Sequence, residues 1–93
     1  MIEVKGITID KKWKWIAKDE VGLVYVYENI PIKKEYTWER AKGSGAYNLA
    51  PVYPIELNSI PWGQSLYEIR HTEDGIILTP FLSDLIIDDP VVS

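Results

Sequence analysis

The side chain that most often moves protons near neutral pH occurs once in this sequence, as His71. It closes a segment in which Leu66, Glu68 and Arg70 alternate with Tyr67, Ile69 and His71. An imidazole on such a strand reads as structural or surface-lying unless a nucleophile or second base faces it. The sequence offers no serine in a G-x-S-x-G turn and no glycine-rich phosphate loop. With no cysteine in the chain, disulfides, thiolate metal sites and thiol nucleophiles are excluded. Carboxylates do pair, at Asp19/Glu20, Glu73/Asp74 and Asp88/Asp89. All three pairs fall in turn-like or terminal stretches, where acidic residues serve turn geometry, and none has calcium-loop spacing. No catalytic residue, metal ligand or cofactor is expected, and a non-enzymatic role is.

Binding chemistry is better represented. Among 93 residues there are four Trp, six Tyr and one Phe. Such rings dominate interface hot spots, and each removes roughly 150–250 Å² from water when buried. Trp13, Trp15, Tyr25 and Tyr27 are expected to pack across a hairpin. Trp38, Tyr53 and Trp62 lie in less regular segments and are expected to be exposed, because loops carry recognition more often than strands do. With Arg40 and Arg70 they form the candidate partner- or ligand-binding set. One use is docking a partner protein. Another is holding a nucleotide between rings while Lys33, Lys34, Arg40 or Arg70 meets its phosphates. A third is gripping single-stranded nucleic acid by the lysine row Lys12, Lys14 and Lys18.

Charge distinguishes the two halves. Residues 1–42 carry nine Lys/Arg and seven Asp/Glu, a net of +2, and residues 43–93 carry Arg70 alone against seven acids, a net of −6. An acidic chain with pI near 4.9 is a poor general nucleic-acid binder, so that reading rests on the lysine row alone. The absence of cysteine favours a reducing compartment. The N-terminus lacks a basic segment followed by an apolar run. No stretch reaches the roughly 20 apolar residues of a membrane span.

The elements that must position these groups are short. Ile2 to Ile9 reads as a strand bulged at Gly6. Lys12 to Lys18 alternates, with Trp13, Trp15 and Ala17 on one side and Lys12, Lys14, Ile16 and Lys18 on a wet side. Asp19-Glu20-Val21-Gly22 predicts a hairpin turn into the strand Leu23 to Tyr27, which Pro31 ends. Residues 32–42 fit one or two helical turns or a short strand. Pro51 and Pro54 restrict residues 46–57 to an edge strand or extended loop. Ser65 to His71, a turn at Thr72 to Gly75 and Ile76 to Thr79 predict a second hairpin. Phe81, Leu82, Leu85 and Ile86 suit one helical turn, and residues 84–93 a frayed acidic tail. The expectation is one all-β domain over residues 1–93, a small antiparallel meander or barrel of five or six strands. The alternative is α+β with a short helix around 34–42.

Trp15-Ile-Ala17-Lys-Asp19-Glu-Val-Gly22 running into a strand that ends at Pro31 resembles a Trp-x-Ala-x-Asp-x-x-Gly hairpin found in small bacteriophage and prophage proteins. Trp38 and the later Trp62, Ser65, Leu66 and Ile69 extend the resemblance, which covers residues 13–70 in outline. It implies a phage-encoded protein in the host cytoplasm that inhibits a host or antiviral-defence protein. It is also compatible with sequestering a nucleotide signal and with homo-oligomer formation.

Overall fold

The computed structural model describes residues 1–35, 37–49 and 55–81. Eight strands run through them: β1 (Ile2–Lys5), β2 (Trp15–Lys18), β3 (Val24–Tyr27), β4 (Ile32–Lys33), β5 (Trp38–Glu39), β6 (Ala46–Asn48), β7 (Tyr67–His71) and β8 (Gly75–Pro80). Six of them form an antiparallel sheet in the order β1-β8-β7-β2-β3-β6, and β4 and β5 pair as a separate ribbon. The chain is all-β, as its alternation predicts. Among the described residues, the helical pieces are the 3₁₀ segments Ile55–Ser59 and Trp62–Gln64. The helix considered around 34–42 is replaced by the β4–β5 ribbon, closed where the Lys34 N–H donates to the Thr37 carbonyl at 2.8 Å. No helix among the described residues is long and apolar enough to cross a membrane. Tyr53, the two prolines near it and the tail 84–93 lie outside the described residues.

Turn chemistry sets both hairpins. Between β2 and β3 the Asp19 N–H donates to Leu23 at 2.9 Å, and Gly22 sits at φ 96° and donates back to Asp19 at 3.0 Å. The Asp19 carboxylate accepts the Val21 and Leu23 N–H groups at 3.1 and 2.9 Å. Aspartate supplies an acceptor that a short side chain can aim at its own turn, and glycine supplies positive φ without steric cost. Gly6 ends β1 at Lys5 rather than bulging a strand that runs on to Ile9, and sits at φ 80° with its N–H on the Asp74 carbonyl. Gly75 answers a different need. A Cβ there would overlap the Val4 carbonyl oxygen and lie 2.9 Å from Lys5 Cα, because β1 is paired flush against it.

The sheet is covered on both sides where β2 and β3 run. Ile16, Val24 and Val26 face one core with Ile9, Trp13 and Leu57, which continues under Ile69, Ile76 and Leu78. Ala17 and Tyr27 face a second core with Trp38 and Leu66, against which Trp15, Trp62 and Phe81 pack. This corrects the expected phase of residues 12–18. Ile16 is fully buried rather than on a wet side. Trp13 precedes the strand, follows a turn in which its N–H meets the Asp10 carbonyl, and joins the Ile16 core. Lys18 also leaves the wet side: its Nζ donates to the Leu57 and Asn58 carbonyls at 2.9 and 3.2 Å. It thereby satisfies carbonyls late in the first 3₁₀ segment.

The two halves of the sheet meet where β2 and β7 pair, through Trp15↔Glu68 and Ile16↔Tyr67, with the Ile69 N–H on the Lys14 carbonyl at 2.8 Å just beyond. Ser65, fully buried, extends that junction by a side chain. Its Oγ accepts the Lys18 N–H at 2.8 Å and shares its proton between the Trp62 and Lys18 carbonyls at 2.7 and 2.9 Å. The Trp62 carbonyl also accepts the Trp38 indole N–H at 3.0 Å. One hydroxyl and one carbonyl thus join β2, β5 and the loop entering β7.

Ser65→Ala leaves the buried Lys18 N–H without its acceptor and is expected to lower stability by about 1–3 kcal/mol, read as a shift in the urea midpoint. Gly75→Ala is expected to detach β1 while the rest of the sheet stays folded, visible as fast amide exchange confined to residues 2–6; unchanged protection there would contradict the close approach.

Candidate functional site

The ribbon β4–β5 lies over the second core and leaves a cleft between itself and the tyrosines of β3. Asp19, Tyr25, Tyr27, Thr37, Trp38, Arg40 and Ala46 line it, enclosing about 200 Å³. Tyr25 and Tyr27 point to this side because they alternate with the buried Val24 and Val26. Their rings tilt against each other with centroids 6.4 Å apart. Trp38 forms a wall rather than a protruding anchor, since it is only 5 % exposed. That corrects the exposure expected from its irregular setting: its ring meets Trp62 edge-on at 6.3 Å, at an interplanar angle of 83°, and its N–H is held by the Trp62 carbonyl.

The rim carries both signs of charge. Asp19 is positioned by its turn bonds. Arg40, exposed, has no carboxylate partner among the described residues, where Lys34–Glu39 at 3.5 Å is the ion pair formed. A second concavity of about 480 Å³ continues from Arg40 along residues 39–44. Its loop is held by the Ser44 N–H on the Ala41 carbonyl at 2.9 Å, and by the Asn29 N–H on Ser44 Oγ at 3.1 Å. Burial pushes the Tyr27 phenol well above its ordinary ionisation range; the nearby Asp19 carboxylate and Tyr25 add to that. The phenol therefore stays neutral, a hydrogen-bonding group on a mostly apolar wall.

Of the five residues singled out from the sequence, the fold brings Trp38 and Arg40 together here. Trp62 stands behind Trp38, half-buried, with Lys33 Nζ 6.0 Å from its ring. Arg70 is exposed on β7 opposite Ile77 and lines neither concavity. Tyr53 is outside the described residues. Sequence reasoning missed Asp19, Tyr25, Tyr27 and Thr37 as site residues. Tyr25-Val-Tyr27 did carry a signal, since alternation put both rings on one face. His71 is engaged structurally, its Nε2 on the Trp13 carbonyl at 2.9 Å; a carbonyl can only accept, so that nitrogen bears the proton.

No protein-family model, curated protein or solved structure matches this chain.

Tyr27 gives a pH test. Unfolded tyrosine ionises near 10.0, whereas folded Tyr27 holds its proton well above that. Between the two values the folded state binds more protons, so stability is complete below pH 10 and falls as pH rises beyond it. Urea midpoints measured across that range are expected to fall less steeply for Tyr27→Phe than for the unaltered protein; equal slopes would refute the assignment.

Proposed function

We propose that this chain is a binding protein that acts by occupying the surface of a partner protein. In the setting that its hairpin resemblance implies, it is a phage-encoded inhibitor of a host or antiviral-defence protein. What carries this reading is Arg40, a guanidinium with no carboxylate partner among the described residues, on the rim of an aromatic cleft. Arginine beside tyrosine and tryptophan is the composition of interface hot spots, and a pre-positioned site binds without a large ordering cost. The cleft's size favours a protein partner over a nucleotide. At about 200 Å³ it falls below the roughly 300–1,000 Å³ of small-molecule sites and suits one inserted side chain. The adjoining concavity along 39–44 offers room for the backbone on either side of that residue. Arg40 lies between the two and pairs with an acidic group of the partner, while Asp19 on the rim accepts hydrogen bonds and the neutral Tyr27 phenol donates one deeper in.

The test is comparative capture from a host lysate by the unaltered protein and by Arg40→Glu. Loss of a buried interface arginine costs about 2 kcal/mol or more, close to thirtyfold in affinity, so a stoichiometric partner retained by the former is expected to be lost by the latter. Expression of the chain is likewise expected to sensitise defended cells to phage, and Arg40→Glu to abolish that. Capture or sensitisation unaffected by the substitution would remove the cleft from the reading.

A further inference from the structure

The opposite face of the sheet carries a second cleft. It encloses about 320 Å³ between the loop preceding β2 and the edge strand β6, with Ile9, Lys12, Trp13, Tyr47 and Leu49 among its lining. Tyr47 is the notable member. It is 59 % exposed, yet it is not loosely placed: its ring stacks on Trp13 with centroids 6.2 Å apart and planes 22° apart. Trp13 is 9 % exposed and belongs to the core, so it is a fixed base for that stack. Lys12 Nζ lies 4.7 Å from the Trp13 ring centroid. The turn that presents Lys11 and Lys12 is closed twice, by the Trp13 N–H on the Asp10 carbonyl at 3.1 Å and the Lys12 N–H on the Asp10 carboxylate at 2.9 Å. Both lysines are exposed, and neither meets a carboxylate among the described residues.

We propose that this cleft is a binding site for a nucleobase and its attached phosphate, with the base stacking on Tyr47 and the phosphate meeting Lys12. An aromatic ring held flat on a rigid partner and open to solvent on its outer side is what base stacking requires. The Lys12 ammonium on a pre-formed turn beside it supplies the charge that a phosphate needs, and the Asp10 carboxylate that also lines the cleft is engaged by the Lys12 N–H. The volume lies within the range of small-molecule sites, unlike that of the Arg40 cleft. The lysine row expected from the sequence is broken up accordingly: Lys18 is withdrawn by its bonds to Leu57 and Asn58, and Lys12 is the member that stays beside the rings. The site is separate from the Arg40 cleft and stands or falls independently of it.

A free nucleotide and a nucleic-acid strand share this chemistry, so the experiment has two arms. Fluorescence anisotropy of a labelled single-stranded deoxyadenosine oligomer reports the strand, and quenching of tryptophan emission by ATP reports the free nucleotide, both at low salt. The unaltered protein is expected to bind at least one probe. Tyr47→Ala is expected to weaken it at least about fivefold, given the worth of stacking on one ring, with Tyr47→Phe retaining affinity and circular dichroism establishing that both variants fold. The substitution Lys12→Gln is expected to flatten the dependence of log affinity on log salt by about one, and Arg40→Glu to change nothing. Preference for the oligomer assigns a strand; competition by ATP at equal affinity assigns a nucleotide. Failure of both probes to bind, or binding that Tyr47→Ala leaves intact, overturns the proposal.

Discussion

The junction between β2 and β7 holds the two halves of this sheet together. Its ladder of two residue pairs is prolonged at one end by the Ile69 N–H on the Lys14 carbonyl and the His71 ring on the Trp13 carbonyl. At the other end Ser65 adds a side-chain link, and the Trp62 carbonyl that it meets is also the anchor of the Trp38 indole. All of these groups are drawn from water, where an unmade hydrogen bond costs more than a made one gains. The polar centre is thus tolerated only in the one geometry that satisfies every member, and that geometry places β5 over β3. The aromatic cleft exists because the ribbon carrying Trp38 and Arg40 cannot shift without breaking it.

Covering β2 and β3 on both faces has a further effect. A sheet with one wet face presents its aromatic residues either inward or to solvent. Here the indoles divide: Trp13 belongs to one core, and Trp15, Trp38 and Trp62 are grouped on the other side. Each side then retains one partly open aromatic surface at the border of its core. Tyr25 and Tyr27 border one and Tyr47 the other. Around the first, the neighbouring charges are Asp19 and Arg40; beside the second they are Lys12 and Asp10, the latter occupied in closing its turn.

What was legible in the sequence is what depends on near neighbours. The turns at Asp19–Gly22 and Thr72–Gly75, the alternation of Tyr67 to His71 and the edge position of β6 all follow from residues within a few places of one another. What was not legible depends on distant partners. Trp38 is buried through an acceptor 24 residues away, so its irregular surroundings suggested exposure. Ile16 alternates with tryptophans and was read as facing water, because period two alone does not reveal that both faces are covered. Lys18 finds its carbonyls 39 and 40 residues on. Arg40 is legible as a binding candidate, but the alternation of Tyr25 and Tyr27 points to core packing and gives no sign that they share its cleft.

The strand order also decides when this chain can finish folding. β1 at the start pairs with β8, and β2 with β7, so the sheet closes like nested brackets. On the ribosome the β2–β3 hairpin has its partner at once, whereas β1 waits until Gly75 to Pro80 has left the exit tunnel. At about 5–20 residues per second that wait lasts several seconds, during which Ile2 and Val4 have no strand to dock on. The interleaved Glu3 and Lys5, exposed in the finished sheet, put charge on that strand throughout the interval, and charged side chains discourage pairing with a neighbouring nascent chain.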